Sequence, residues 1–248
     1  MEYERLSETL KMFAARYETA EFIVGDPSWF MHQVSGDGNQ ETMAFIASAL
    51  SYGSRKQFMP KIQSLLELSE GDMIRWIVDG RSRDVFAQND ATSFYRLYDK
   101  RTMRLFLDAL REMLVEYGSV GEFMRQAAVS DGLSAVSALC SWFASRGGSS
   151  VVPKDTTSAC KRICMFLRWM VRDNSPVDLG LWTDFIDKRT LIMPLDTHVL
   201  TQACEMRLIH SRCASMSAAR RLTDKLAQIF PDDPLKGDFA LFGYAVSQ

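Results

Sequence analysis

Two side chains in this 248-residue chain have the character and the setting for covalent chemistry, Lys161 and Asp196. Lys161 opens a helical pattern beside Cys160, close to an apolar face. Partial desolvation there, with Arg162 alongside, favours the uncharged amine, which is a nucleophile. Asp196 lies in Pro194-Leu195-Asp196-Thr197-His198-Val199, directly before another helical pattern. Pro194 and Leu195 stiffen the approach, and backbone donors at the helix start hold the carboxylate fixed and ionised. Each residue also has a plain structural reading. The lysine fits the solvated edge of an amphipathic helix, and the aspartate fits an N-cap.

A second chemistry is attraction of phosphate. Between Lys154 and Arg172 there are five basic residues and one acid, the most basic stretch of the chain. Residues seven and eleven apart point almost the same way on an α-helix, so Lys161, Arg168 and Arg172 share a face, with Met165 between them. Ile163, Phe166, Leu167 and Met170 form an apolar face. The spacing predicts a helix that buries one side and shows a line of cations on another. Its positive N-terminal end lies at Lys161.

The elements that must position these groups read as helices. Leu6, Leu10, Phe13 and Tyr17 mark a first helix, expected to stop near Gly25-Asp26-Pro27. A second runs from Thr42 to Leu50. Ser69 and Asp72 stand at capping-box spacing before Met73, Ile74, Trp76 and Ile77. Thr102 to Tyr117 carries a wide stripe of Leu105, Phe106, Ala109, Leu110, Met113 and Leu114, and Ser119 with Glu122 forms a further capping box. Gly147 to Thr157 is a loop, followed by a helix from about Ser158 to Arg172 and a shorter one after Pro176. A loop from Lys188 to Pro194 leads to a helix that Asp196 opens; Ser217 is placed to cap another, and Pro234 and Asp238 introduce the last. Strand signals are scarce and there is no βαβ rhythm. The expectation is an all-α fold of roughly ten helices in one unit spanning the chain.

Composition excludes several classes. The 29 basic and 31 acidic side chains give a net charge of −2, which rules out a strongly basic nucleic-acid coat. With 47% hydrophobic and 24% charged residues, the chain is neither disordered nor collagen-like. The opening Met1-Glu2-Tyr3-Glu4-Arg5 leads into no short apolar core, so no secretory signal is expected, and no apolar run is long enough to span a membrane. The five cysteines are odd in number and dispersed, which suggests reduced thiols in cytoplasm. Cys204 and Cys213 are too few for an iron–sulfur cluster. Cys160 and Cys164 lie one turn apart without a histidine pair to complete a zinc site. No metal and no cofactor is expected.

The lysine-bearing loop and helix, followed by Pro-Leu-Asp-Thr-His-Val, resembles the helix-hairpin-helix-GPD superfamily of DNA glycosylases. Its endonuclease III-like members have a similar Val-Asp-Thr-His segment. The 35-residue separation of Lys161 and Asp196 is closer to the archaeal 8-oxoguanine glycosylase branch. Phe45 to Arg55, above all Ala49-Leu50-Ser51-Tyr52-Gly53-Ser54-Arg55, resembles the superfamily's early helix ending in a Leu-Ser-Gln-Gln-Thr-type turn. The whole chain also resembles a bacterial family distantly placed in this superfamily.

The resemblance implies two helical lobes with a DNA-binding cleft between them. Residues from about 41 to 172 would form a six-helix barrel ending in the hairpin and its helix, and residues 1–40 with 176–248 the other lobe. It implies a cytoplasmic, monomeric base-excision repair enzyme, a DNA glycosylase with AP lyase activity, acting on damaged double-stranded DNA. Lys161 would attack C1′ of the damaged nucleotide to form a Schiff base, Asp196 would offset positive charge on the sugar, and β-elimination would cut the strand. The base must leave the stack to be reached. Asp238 and Phe242, one turn apart on the last helix, stand where oxidised-guanine glycosylases place a base-bonding and a base-stacking residue; with the insert length they favour 8-oxoguanine. Lys154, Arg162, Arg168, Arg172 and His198 are the DNA-contact candidates.

One segment departs from the superfamily. Where a Leu-Pro-Gly-Val-Gly-type turn binds phosphate, this chain has Val152-Pro153-Lys154-Asp155-Thr156-Thr157. A tight turn needing positive φ would suffer without glycine, though Lys154, Lys161 and Arg162 can substitute electrostatically. This turn and the net charge leave two other readings open. One is a non-catalytic module on the same fold that recognises DNA or RNA structure. The other is a helical interaction protein.

Overall fold

The computed structural model describes residues 2–247. Its helices are α1 (Glu2–Tyr17), α2 (Asp37–Leu50), α3 (Arg55–Leu68), α4 (Met73–Val78), α5 (Ser82–Val85), α6 (Lys100–Tyr117), α7 (Val120–Gln126) and α8 (Gly132–Ser145). They continue with α9 (Lys161–Val171), α10 (Thr197–Glu205), α11 (Met216–Ala227) and α12 (Lys236–Val246). Among the described residues the one sheet is an antiparallel pair, β1 (Ser93–Tyr95) and β2 (Tyr98–Asp99). The all-α expectation holds. No helix among the described residues is long and apolar enough to cross a membrane.

Two compact units are present, where the pattern suggested one. A middle unit comprises residues 27–129 and 135–155, and a terminal unit comprises residues 1–26, 130–134 and 156–248. The division therefore falls elsewhere than at 40 and 172. Residues 27–40 join the middle unit, and α9 joins the terminal one. The physical reason for the second shift is that Arg172, the C-cap of α9, bonds to both Glu18 and Asp233.

In the middle unit α2 is buried from Glu41 to Leu50. Phe45 stacks on Phe106 of α6 and Phe143 of α8, with ring centroids 5.9 and 5.3 Å apart. The stripe of α6 faces this cluster as its period requires, except that Leu105 falls outside it and is 43% exposed. Ser119 caps α7 through the Glu122 N–H, and the buried Glu41 carboxylate accepts from the Val120 and Gly121 N–H groups. For α4 the N-cap is Asp72, which accepts from the Arg75 N–H; Ser69 ends α3 instead. The β1–β2 connection escaped notice because Arg96, at φ 51°, fills a left-handed position where Asn or Gly is usual.

In the terminal unit α1 lies along α12. The approach is so close at Gly243 that a Cβ there would run into the Tyr17 ring. Helix α1 stops at Tyr17, well before Gly25, because Thr19 adopts an extended backbone (φ −133°, ψ 166°). Among the described residues no helix directly follows Pro176. That segment turns back on α9: Leu179 and Trp182 donate their N–H groups to the Trp169 and Met170 carbonyls at 2.7 and 2.8 Å. These are last-turn carbonyls that a helix cannot satisfy internally. Ser215, two residues ahead of Ser217, caps α11 by accepting from the Ala218 N–H.

Candidate active site around Lys161 and Asp196

Both Lys161 and Asp196 belong to the terminal unit, and they meet. Lys161 Nζ lies 4.0 Å from Asp196 Oδ2, with the side chains 33% and 38% exposed. The pair is open to solvent on one side and backed by core on the other.

Local structure fixes each partner. Lys161 is the first residue of α9, and Cys160 before it is left-handed, with φ 47°. That backbone costs a non-glycine residue roughly 1–2 kcal/mol. It is held by the Ser158 hydroxyl, which accepts from the Cys160 N–H at 3.4 Å. Ser158 in turn bridges antiparallel to Ser215, the N-cap of α11. On the other side the run Leu191 to Leu195 is buried, and the Met193 N–H donates to Thr223 Oγ1 on α11 at 2.9 Å. Asp196 follows in extended backbone and caps α10, its Oδ1 accepting from the Val199 N–H at 2.9 Å. One carboxylate oxygen holds the helix; the other faces the lysine.

The expected line of exposed cations does not exist. Every residue from Ile163 to Val171 is buried, and Arg172 is fully so. Arg172 donates to Asp233 at 2.8–3.1 Å, to Glu18 at 2.6 Å, and to Asp178. Arg168 donates to Asp178 at 3.2 Å and to Asp238. Both guanidiniums lie over the Phe239 ring, 4.7 and 5.3 Å from its centroid. Burial works against the charge on Arg172, but Asp178, Asp233 and Glu18 outweigh it and hold the guanidinium protonated. Arg168 and Arg172 are thus core ion pairs, not DNA contacts. Their partners Glu18, Asp178 and Asp233 were missed by sequence reasoning.

Asp238 and Phe242 are likewise engaged. The Asp238 carboxylate pairs with Arg168. Phe242 meets Tyr17 and Phe22 edge-on, at centroid distances of 5.6 and 5.0 Å. Neither is free to receive a base in this arrangement. Of the remaining candidates, Arg162 is half-buried in the first turn of α9, and His198 is exposed in the first turn of α10. Lys154 is exposed and belongs to the middle unit. The glycine-free turn needs no glycine, since no residue from 152 to 157 has a positive φ. The left-handed position falls at Cys160.

The early segment compared with the Leu-Ser-Gln-Gln-Thr turn closes α2. Ser51 Oγ donates to the Ala47 carbonyl at 2.7 Å, and Gly53 (φ 86°) lies against Arg96, whose guanidinium covers the Tyr52 ring at 4.9 Å. Cys160 and Cys164 are buried cysteines outside any disulfide, and burial pushes the Cys164 thiol up, which makes it a poor metal ligand. Among the described residues no group of three His, Cys, Asp or Glu is arranged to hold a metal ion. Trp169 and Trp182 are core residues.

The family described as "Protein of unknown function (DUF2400)" matches residues 26–247. No curated protein and no solved structure matches the chain.

Proposed function

We propose that this chain, which belongs to the DUF2400 family, is a DNA glycosylase/AP lyase of base-excision repair that forms a Schiff base between Lys161 and C1′ of a deoxyribose. The observation that carries the reading is the 4.0 Å approach of Lys161 Nζ to Asp196 Oδ2 at a partly exposed position. An amine beside a fixed carboxylate has what Schiff-base chemistry needs: a nucleophile, and a group that takes its proton and then offsets positive charge on the sugar. The carboxylate needs no reorganisation, because its second oxygen is already tied to α10. β-Elimination from the iminium would cut the strand.

The finer fold, two helical lobes of the helix-hairpin-helix glycosylase type, belongs to the same proposal, as do damaged double-stranded DNA as partner and a monomeric state. It is supported by the chain order of lysine helix, aspartate turn and late helix. A module that only grips nucleic acid is the weaker reading. Such binding draws its affinity from cations at the surface, and Arg168 and Arg172 are not there. The test is borohydride trapping on a panel of damaged and abasic duplexes. A covalent adduct formed by wild type and lost in Lys161→Gln is the expected result; no lysine-dependent adduct on any duplex contradicts the reading.

A further inference from the structure

We infer that the pocket where the segment after α10 folds against α11 takes a phosphodiester strand of the DNA, with Arg221 and Lys225 on its phosphates and Leu208 and Ile209 against its sugars. The inference rests on the DNA reading above and names the surface that grips that partner.

Holding DNA requires cations at the surface, and the interior of α9 does not supply them, since Arg168 and Arg172 are buried. A second basic run does. From Met206 to Thr223 there are four arginines, one histidine and no acid. Arg207, Arg212, Arg220 and Arg221 are all exposed, as are His210 and Lys225. The fold gathers part of this run. Arg207 takes a left-handed backbone (φ 58°) just past α10, and the Leu208 N–H closes on the Ala203 carbonyl at 2.9 Å. Leu208 and Ile209 are buried. With His210, and with Arg221, Asp224 and Lys225 of α11, they line a cavity of about 400 Å³.

Three basic groups and one acid beside an apolar lining suit a sugar–phosphate chain. Arg221 and Lys225 are one turn apart on the same face of α11. A guanidinium offers phosphate a pair of donors, and an ammonium adds a point charge. Arg221 is aimed by a neutral group, since it donates to Ser217 Oγ at 2.7 Å. Lys188 and Arg189, by contrast, are spent on Asp173 and Asp187. Another cavity of the terminal unit carries two exposed lysines, Lys11 and Lys236, but Glu18, Asp232 and Asp233 line it too and offset them.

The position also fits a strand that reaches Lys161. Asp196 opens α10, and the pocket lies past the other end of that helix. Nine residues of helix span about 13 Å, or roughly four nucleotide steps of about 3.4 Å. Ser215, the N-cap of α11, bridges back to Ser158 just ahead of Lys161. Amine and pocket therefore share one frame within the terminal unit.

The full chain is titrated against a labelled duplex carrying a tetrahydrofuran abasic analogue, which cannot form a Schiff base, between about 0.05 and 0.2 M salt. Arg221→Gln with Lys225→Gln should lower the slope of log affinity on log salt by roughly 2, one for each phosphate contact removed. Across that range the wild type then loses about tenfold more affinity than the variant. Lys11→Gln with Lys236→Gln should leave the slope unchanged. On a reactive abasic duplex the α11 variant should need more protein for half-maximal borohydride adduct and keep the wild-type rate at saturation. Thermal unfolding reports whether each variant has folded. A measurement that needs no variant is crosslinking of the wild type to 5-bromodeoxyuridine placed about four nucleotides from the analogue, which should add mass between Leu208 and Lys225.

A slope that the α11 variant leaves unchanged, or a crosslink that falls elsewhere, overturns the inference, while a lysine-dependent adduct still supports the Schiff-base reading. Competition by polyglutamate as strong as by unlabelled duplex also overturns it, because the pocket would then take any acidic polymer. A lowered slope without a lysine-dependent adduct on any duplex keeps the strand site and removes the Schiff-base reading. Absence of duplex binding at low salt removes both.

Discussion

Helix α9 and its C-cap residue carry three cations on one face, Lys161, Arg168 and Arg172, and the two ends treat them in opposite ways. At the N-terminal tip Lys161 keeps a third of its side-chain surface and a loose ion contact to Asp196 at 4.0 Å. At the C-terminal end Arg172 has none of its surface left and reaches Glu18, Asp178 and Asp233 together. A planar guanidinium with five donors suits the crowded interior, whereas a lysine ammonium on a flexible stem suits an open mouth. The same helical spacing therefore serves two ends: the arginines tie the terminal unit together, and the lysine stays partly exposed beside Asp196.

Breaking the buried end should have the largest effect on stability. Arg172→Met leaves buried carboxylates without their cation, and is expected to cost about 3–5 kcal/mol in chemical denaturation. Asp233→Asn removes one charged acceptor from the same cluster and should cost roughly 1.5–3 kcal/mol. Asp196→Ala loses the cap of α10, about 1 kcal/mol, while Asp196→Asn keeps the cap and should melt close to wild type. The asparagine variant should nevertheless lose most of its trapping rate, so that charge and capping separate at one residue. Lys161→Gln should change stability least, by no more than about 0.5–1 kcal/mol, because an exposed ion pair contributes little. Raising salt from about 0.1 M to about 1 M should shrink even that difference and leave the Arg172 cost nearly intact. A Lys161 variant as unstable as Arg172→Met would erase the contrast between the ends.

The sequence carried part of this contrast. Asp196 reads as an N-cap from its place before a helical period, and it is one. The burial of α9 was also written there. Ile163-Cys164-Met165-Phe166-Leu167 and Trp169-Met170-Val171 are apolar on every side of the helix, which marks a core helix rather than an amphipathic one. An arginine inside such a run must be buried and must find carboxylates. Which carboxylates was not legible: Asp233 lies 61 residues from Arg172 and Glu18 lies 154 away, and neither stands in a pattern that announces it. The meeting of Lys161 with Asp196 could not be computed from spacing either; it was expected only through the family resemblance. The base-reading roles of Asp238 and Phe242 came from the same source. They meet a physical obstacle, since one is tied to Arg168 and the other to Tyr17 and Phe22. The helix expected after Pro176 failed because the open carbonyls of α9 compete for that segment's N–H groups.

The central claim is that one amine, Lys161, bonds to a DNA sugar. Its most direct test is proteolysis and mass mapping of the borohydride-reduced adduct formed on an abasic duplex. The account predicts the added mass on the peptide containing Lys161 and on no other. Added mass on a different amine, such as Lys154 or Lys188, or no added mass at all, would contradict it.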